Sequence, residues 1–175
     1  MTLFLITAPS GSGKTTIANR LSQYWKECIS HTTRPMRAGE VQNKTYYFSS
    51  KETFDQTVML ETVNYDGHRY GLSKLEVDNV LSVAKHAYVI VEHDGYKQIK
   101  DKFPDAVGIF LYMSKEDCMA NMLLRGDSIE KATKRITLYD DEIKNRNDYD
   151  YVIKNVRGKF DETVAIVRNI INQHK

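Results

Sequence analysis

Only two cysteines, Cys28 and Cys118, occur in 175 residues. Two thiols so placed make neither a disulfide framework nor a metal-ligand spacing, and free thiols in a reducing compartment are expected. The histidines His31, His68, His86, His93 and His174 show no ligand spacing either. The chain lacks a charged-then-apolar leader pattern, and no apolar run reaches membrane-spanning length, so a cytoplasmic protein without a membrane partner is expected. A strong charge of one sign is missing too. The formal net charge of +2 is too near neutral to argue for nucleic acid. Repeats, low-complexity tracts and linker-like segments are absent. What remains is 41% hydrophobic and 27% charged, the composition of one globular domain large enough to bury a core.

Apolar, strand-like runs recur at Leu3–Ile6, Tyr88–Val91, Val107–Tyr112 and Tyr151–Ile153. Helical patterns alternate with them, the signature of βαβ units around a parallel sheet. A first helix is expected to open at Lys14 and continue through Asn19 to Trp25, and a second to span Lys74–Ala84. Ser114 to Asp117 resembles a capping box starting a helix that reaches Leu124. Ile129, Ala132, Ile136, Tyr139 and Ile143 form one helical stripe, and Phe160, Val164, Val167 and Ile171 another. Both stripes read as core packing. Residues 29–73 break the alternation, with β-like pieces at Thr45–Phe48 and Leu60–Asn64. They read as a small mixed insertion able to cover a second substrate.

The richest stretch joins the first strand to the first helix. Ala8-Pro9-Ser10-Gly11-Ser12-Gly13-Lys14-Thr15 follows the spacing of a phosphate-binding P-loop, with Ala8 in the place of the first glycine. Glycines allow the backbone to wrap an anion, and the helix N-terminus adds partial positive charge. Lys14 is placed to reach the β- and γ-phosphates and the Thr15 hydroxyl to ligate Mg²⁺, with Thr16 next in the first turn. The plainer reading, a Gly/Ser turn before a surface lysine, does not account for the strand before it and the helix after it. A nucleoside triphosphate is the expected ligand.

The second informative stretch runs from Ser30 to Val41. Arg34 and Arg37, three apart beside Pro35, can clamp an anion, because guanidinium forks match phosphate oxygens. Tyr46 offers a phenolic donor, Glu61 a carboxylate and Tyr70 a second phenol. Taken singly, each has a bland reading: a solvated loop, a core aromatic, a surface charge. In combination they are harder to dismiss.

In these residues the chain resembles the guanylate kinase family. The motif S-x-T-T-R-x-x-R-x-G-E-V from Ser30, then Tyr46, Leu60-Glu61 and Tyr70-Gly71, follow that family's order. Arg125-Gly126 is similar to its lid, and Asp150 to Asn155 to its nucleotide-base segment, so the resemblance runs nearly the full length. It implies an α/β P-loop kinase with a parallel sheet flanked by helices. Residues 1–28 and 74–175 would form the core, 29–73 a nucleoside-monophosphate-binding insertion, and about 125–146 a helical lid. It further implies transfer of the ATP γ-phosphoryl group to GMP or dGMP, with Mg²⁺, in purine nucleotide metabolism. Arg34, Arg37, Tyr46 and Tyr70 would hold the acceptor phosphate, while Ser30, Glu61 and Asp94 would face the guanine. Lys14, Arg37, Arg125 and Arg135 would act on the transferring group, Asn155 would lie on the adenine side, and Glu92 on the metal side. Guanine offers N1–H and N2–H₂ on one edge, which suits a buried carboxylate, so Glu61 is the expected reader of the base.

Three positions depart from the family pattern. Leu72 stands where a hydroxyl is usual after Tyr70-Gly71, Gly95 follows Asp94 directly, and Val156 follows Asn155. Glu92 and Asp94 are expected on one face of an extended strand. The residues leave open another phosphate acceptor, or an interaction module that has lost catalysis. The intact Lys14 and Thr15 speak against the latter.

Overall fold

Leu3, Phe4, Leu5 and Ile6 are all fully buried, as a strand covered on both faces requires. The computed structural model describes residues 1–65 and 67–174. Its elements begin with β1 (Thr2–Thr7), α1 (Lys14–Leu21), β2 (Lys26–Glu27), β3 (His31–Thr32), β4 (Tyr47–Phe48) and α2 (Lys51–Gln56). Then come β5 (Met59–Tyr65), β6 (His68–Ser73), α3 (Lys74–Val83), β7 (His86–Ile90), α4 (His93–Lys102) and β8 (Val107–Tyr112). The chain closes with α5 (Lys115–Leu124), α6 (Ile129–Ile136), α7 (Tyr139–Lys144), a 3₁₀ turn (Asn145–Asp148), β9 (Tyr151–Lys154) and α8 (Phe160–Gln173).

A five-stranded sheet in the order β2-β7-β1-β8-β9 is parallel throughout. Alternation along β1 divides its two faces. Leu3 and Leu5 pack with Val77 and Leu81 of α3 and Tyr96 and Ile99 of α4. Phe4 and Ile6 pack with Ile17 and Leu21 of α1 and Val164, Val167 and Ile171 of α8. A smaller cluster of Met113, Cys118, Met122 and Ala132 joins α5 to α6. The second sheet, β4-β3-β6-β5, is mixed and drawn entirely from residues 31–73. It is tied to α4 by Gln98, whose side chain accepts from Thr62 N–H at 3.0 Å and donates to Thr62 C=O at 3.0 Å.

The serine cap expected at Ser114 forms, and two more are present. Ser114 accepts from Asp117 N–H, and Ser73 and Ser128 open α3 and α6 in the same way.

Three expectations need correction. The first helix stops at Leu21, where Tyr24 and Trp25 N–H both turn back to Leu21 C=O. The chain must leave the helix there to enter β2 at the sheet edge. The stripe from Ile129 to Ile143 is two helices, and Ile129 itself is 73% exposed. Thr137 and Leu138 keep near-helical dihedrals while Leu138 N–H switches to Arg135 C=O, so the periodicity survives a break in the hydrogen-bond ladder. Finally, the strand expected to carry Glu92 and Asp94 ends at Ile90. Glu92 is instead the N-cap residue of α4 and Asp94 lies in its first turn, so the two do not alternate on a strand. Only Tyr96 and Ile99 of α4, besides Gly95, are buried, too few apolar residues to mark a helix by periodicity.

Candidate active site

The P-loop sits at the carboxyl end of the central strand β1, where ligands of open parallel sheets collect. Gly11 and Gly13 have φ of +81° and +83°. Both are also crowded: a Cβ would stand 2.5 Å from Cys118 C=O at Gly11, and 2.7 Å from the Phe160 ring at Gly13. Ala8, by contrast, is not among the positive-φ residues and is buried in the core, so alanine is accommodated where the motif has glycine. Lys14 donates to Glu92 Oε1 at 2.9 Å. Thr15 and Thr16 stand in the first turn of α1, Thr15 exposed.

Side-chain amides brace the loop from behind. Asn121 Nδ2 donates to Gly11 C=O at 2.9 Å, and Asn155 Nδ2 to Ser12 C=O at 2.9 Å. Asn155 Oδ1 accepts from Thr163 Oγ1 at 2.8 Å, and the residue is fully buried. Both ends of its amide are thus engaged inside the protein, where Asn155 braces the P-loop. Glu142 of α7 lies against the same loop, lining a small cavity with Ala8, Pro9 and Glu92. Burial and the nearby Glu92 carboxylate push its carboxyl up, against the opposing pull of Lys14 and Ser10 N–H. Glu142 lies next to the apolar stripe residue Ile143, and nothing in its local pattern singles it out.

On the acceptor side Arg34 is 7% exposed. Its fork is held by Glu40, Nη1 to Oε2 at 3.0 Å and Nη2 to Oε1 at 2.7 Å. It lies over the rings of Tyr46 and Phe48. Glu40 also accepts from Arg37 N–H at 2.7 Å, and the Arg34 fork and this bond hold its carboxyl below the usual range. The expected two-arginine clamp is therefore one internally paired arginine and one exposed one, Arg37. Glu40 lies inside the motif quoted above, but its pairing depends on the fold of the loop. Tyr46 and Tyr70 stand edge to face, with ring centroids 5.8 Å apart. Ser30 is half-buried, and its C=O accepts from Tyr47 N–H.

Glu61 is 4% exposed on β5. Burial pushes its carboxyl up to about 7, partly offset by Leu72 N–H and Lys102. A Cβ at Gly95 would lie 3.0 Å from Glu61 Oε2, so the glycine makes room for this carboxylate. Asp94 is exposed, 3.6 Å from Lys97. Leu72, where a hydroxyl is usual, is fully buried.

The cations of the expected lid converge on Asp127. Arg125 donates to its Oδ2 through Nε at 3.0 Å and Nη2 at 2.5 Å, while Arg135 Nη1 and Lys131 Nζ lie 3.8 Å from its two oxygens. Arg135 Nη2 also donates to Tyr65 Oη at 3.3 Å. Asp127 and Tyr65 were not legible as partners, because the sequence separates them from Arg135 by 8 and 70 residues.

For a divalent cation the site offers the exposed Thr15 hydroxyl and the Glu92 carboxylate. Among the described residues no three His, Cys, Asp or Glu side chains gather as a cage. Hard oxygen donors in small number suit Mg²⁺ that takes its other ligands from phosphates and water.

The family model described as guanylate kinase matches residues 1–174. A guanylate kinase of Thermus thermophilus is 37% identical to this chain over 171 residues, 93% of this chain and 77% of that protein. One of Shewanella denitrificans is 32% identical over 97% of this chain and 86% of its own length. The solved guanylate kinase of Anaplasma phagocytophilum shares the fold, with a TM-score of 0.76 at 24% identity over 98% of this chain and 85% of that one.

Proposed function

We propose, since this chain belongs to the guanylate kinase family, that the residues described above transfer the γ-phosphoryl group of ATP to GMP or dGMP. The observation that carries the acceptor assignment is Glu61, a buried carboxylate on the insertion with space kept open by Gly95. Its ionised form accepts from the N1–H and N2–H₂ of guanine. Adenine has no such pair of donors and would leave the charge unpaired in a buried site.

The acceptor phosphate falls to Arg34, Arg37, Tyr46 and Tyr70. Arg34 exchanges part of its pairing with Glu40 for the phosphate, and its place over Tyr46 fixes where that exchange happens. The loop amides and Lys14 hold the triphosphate, which competes with Glu92 for the ammonium. Mg²⁺, held by Thr15 and Glu92, would neutralise phosphate charge. Phosphoryl transfer needs little beyond alignment and neutralisation. Arg125 and Arg135 supply positive charge from the lid as the γ-phosphoryl group passes between oxygens.

The decisive experiment is a panel of GMP, dGMP, AMP and TMP with ATP and Mg²⁺, read as ADP formation. Turnover with GMP or dGMP and at most a trace with AMP is expected. A preference for any other acceptor would overturn the assignment, and Leu72 makes that comparison informative.

A further inference from the structure

Arg135 is the one lid arginine whose hydrogen bond, among those described, reaches out of the lid. Arg125 takes Asp127 Oδ2 twice, at 3.0 and 2.5 Å, and leaves Arg135 Nη1 at 3.8 Å from the same oxygen. The hydrogen bond that orients Arg135 comes from the other side, with Nη2 donating to Tyr65 Oη at 3.3 Å. Tyr65 is the last residue of β5, which also carries Glu61. Pairing with β6 is regular from Glu61 to Tyr65, so the two side chains leave the same face of one strand, about 13 Å apart. A ligand that engages Glu61 therefore acts on the strand that holds Arg135.

We propose that Tyr65 is a positioning residue for phosphoryl transfer, its hydroxyl orienting the Arg135 guanidinium so that the insertion on its acceptor and the lid on its donor close together. The proposal rests on the guanylate kinase reading above. A bland alternative is at hand: Tyr65 is 59% exposed, and an exposed hydrogen bond to an arginine contributes little to stability. The two differ in what they predict. An idle surface contact leaves kcat and Tm both unchanged, whereas a positioning contact changes kcat and leaves Tm alone.

Tyr65→Phe removes one oxygen from an exposed ring and leaves the strand intact. Wild type, Tyr65→Phe, Arg135→Lys and the double variant are compared by steady-state kinetics with GMP and ATP and by thermal melting. Tyr65→Phe is expected to lower kcat about three- to tenfold, with both KM values within about twofold and Tm unchanged. In the Arg135→Lys background the same substitution should cost nothing further, since the hydroxyl acts through Arg135. A kcat within about twofold of wild type overturns the proposal, as does an equal loss in both backgrounds or a loss that tracks a fall in Tm. A wild-type protein that does not phosphorylate GMP or dGMP overturns the reading beneath it as well, and is told apart by failing before any variant is made.

Discussion

Glu61 enters the folded state with its carboxyl pushed up to about 7 by burial, from an ordinary value of 4.5. Near neutral pH it is therefore divided between two forms with opposite uses. The carboxylate accepts both guanine donors, while the protonated acid carries a donor of its own and can match only part of that edge. As pH falls through 7 the binding form is lost, so GMP affinity should weaken by up to about tenfold per unit below that point. The phosphate of GMP titrates in the same region, so the comparison is with Glu61→Gln. Calorimetric titration between pH 5.5 and 8 should give wild-type affinities that fall more steeply than those of the variant. Parallel curves would remove Glu61 from the base site. Arg34 shows how far residue chemistry alone can be trusted. Its spacing from Arg37 is the one expected of an anion clamp, yet the fork is engaged with Glu40, a partner that only the folded loop brings round.

Elements rather than single side chains shape the P-loop. Its glycines are pressed against α5 through Cys118 C=O and against α8 through Phe160, and its carbonyls are held by Asn121 of α5 and by Asn155 just beyond β9. The loop is thus a surface moulded by three later elements, and loosening them should loosen it. Asn155→Ala leaves Ser12 C=O and Thr163 Oγ1 without their partner in a buried site. Such a loss costs about 1–3 kcal/mol and lowers Tm by several degrees. Because the backbone that wraps the phosphates is then less fixed, KM for ATP should rise more than KM for GMP. Thermal melting and two-substrate kinetics read both effects, and an unchanged Tm with unchanged KM values would deny Asn155 this support. Strands were legible at this scale because both faces of the parallel sheet are apolar, as at Leu3–Ile6 and Val107–Tyr112. The helix α4 was not, because its outward face is polar and its only large buried side chains are Tyr96 and Ile99. The single helical stripe from Ile129 to Ile143 misled for the opposite reason: a turn at Thr137 and Leu138 preserves the period while breaking the element.

At the scale of the molecule, two sheets share one chain, and the insertion rests on the core through α4. Gln98 grips Thr62, and Lys102 donates to Leu60 C=O at 2.7 Å. Glu76 of α3 accepts from Ile29 N–H and Tyr47 Oη across the point where the chain leaves the core. A ligand that binds only the folded insertion and core together stabilises both. GMP at one hundred times its dissociation constant should add about 2.7 kcal/mol, or roughly 5–10 °C in Tm for a chain of this size. AMP at the same concentration should shift Tm far less, and an equal shift would contradict a guanine-reading site. The parallel α/β core, the P-loop and the family are legible from residues alone, because these depend on local periodicity and on residue types at fixed spacing. Tertiary structure alone decided that Asn155 supports the loop, that Glu40 occupies Arg34 and that Tyr65 reaches Arg135. Those partners are brought together by packing between distant or newly folded segments, and no local pattern encodes a contact that depends on where two elements finally lie.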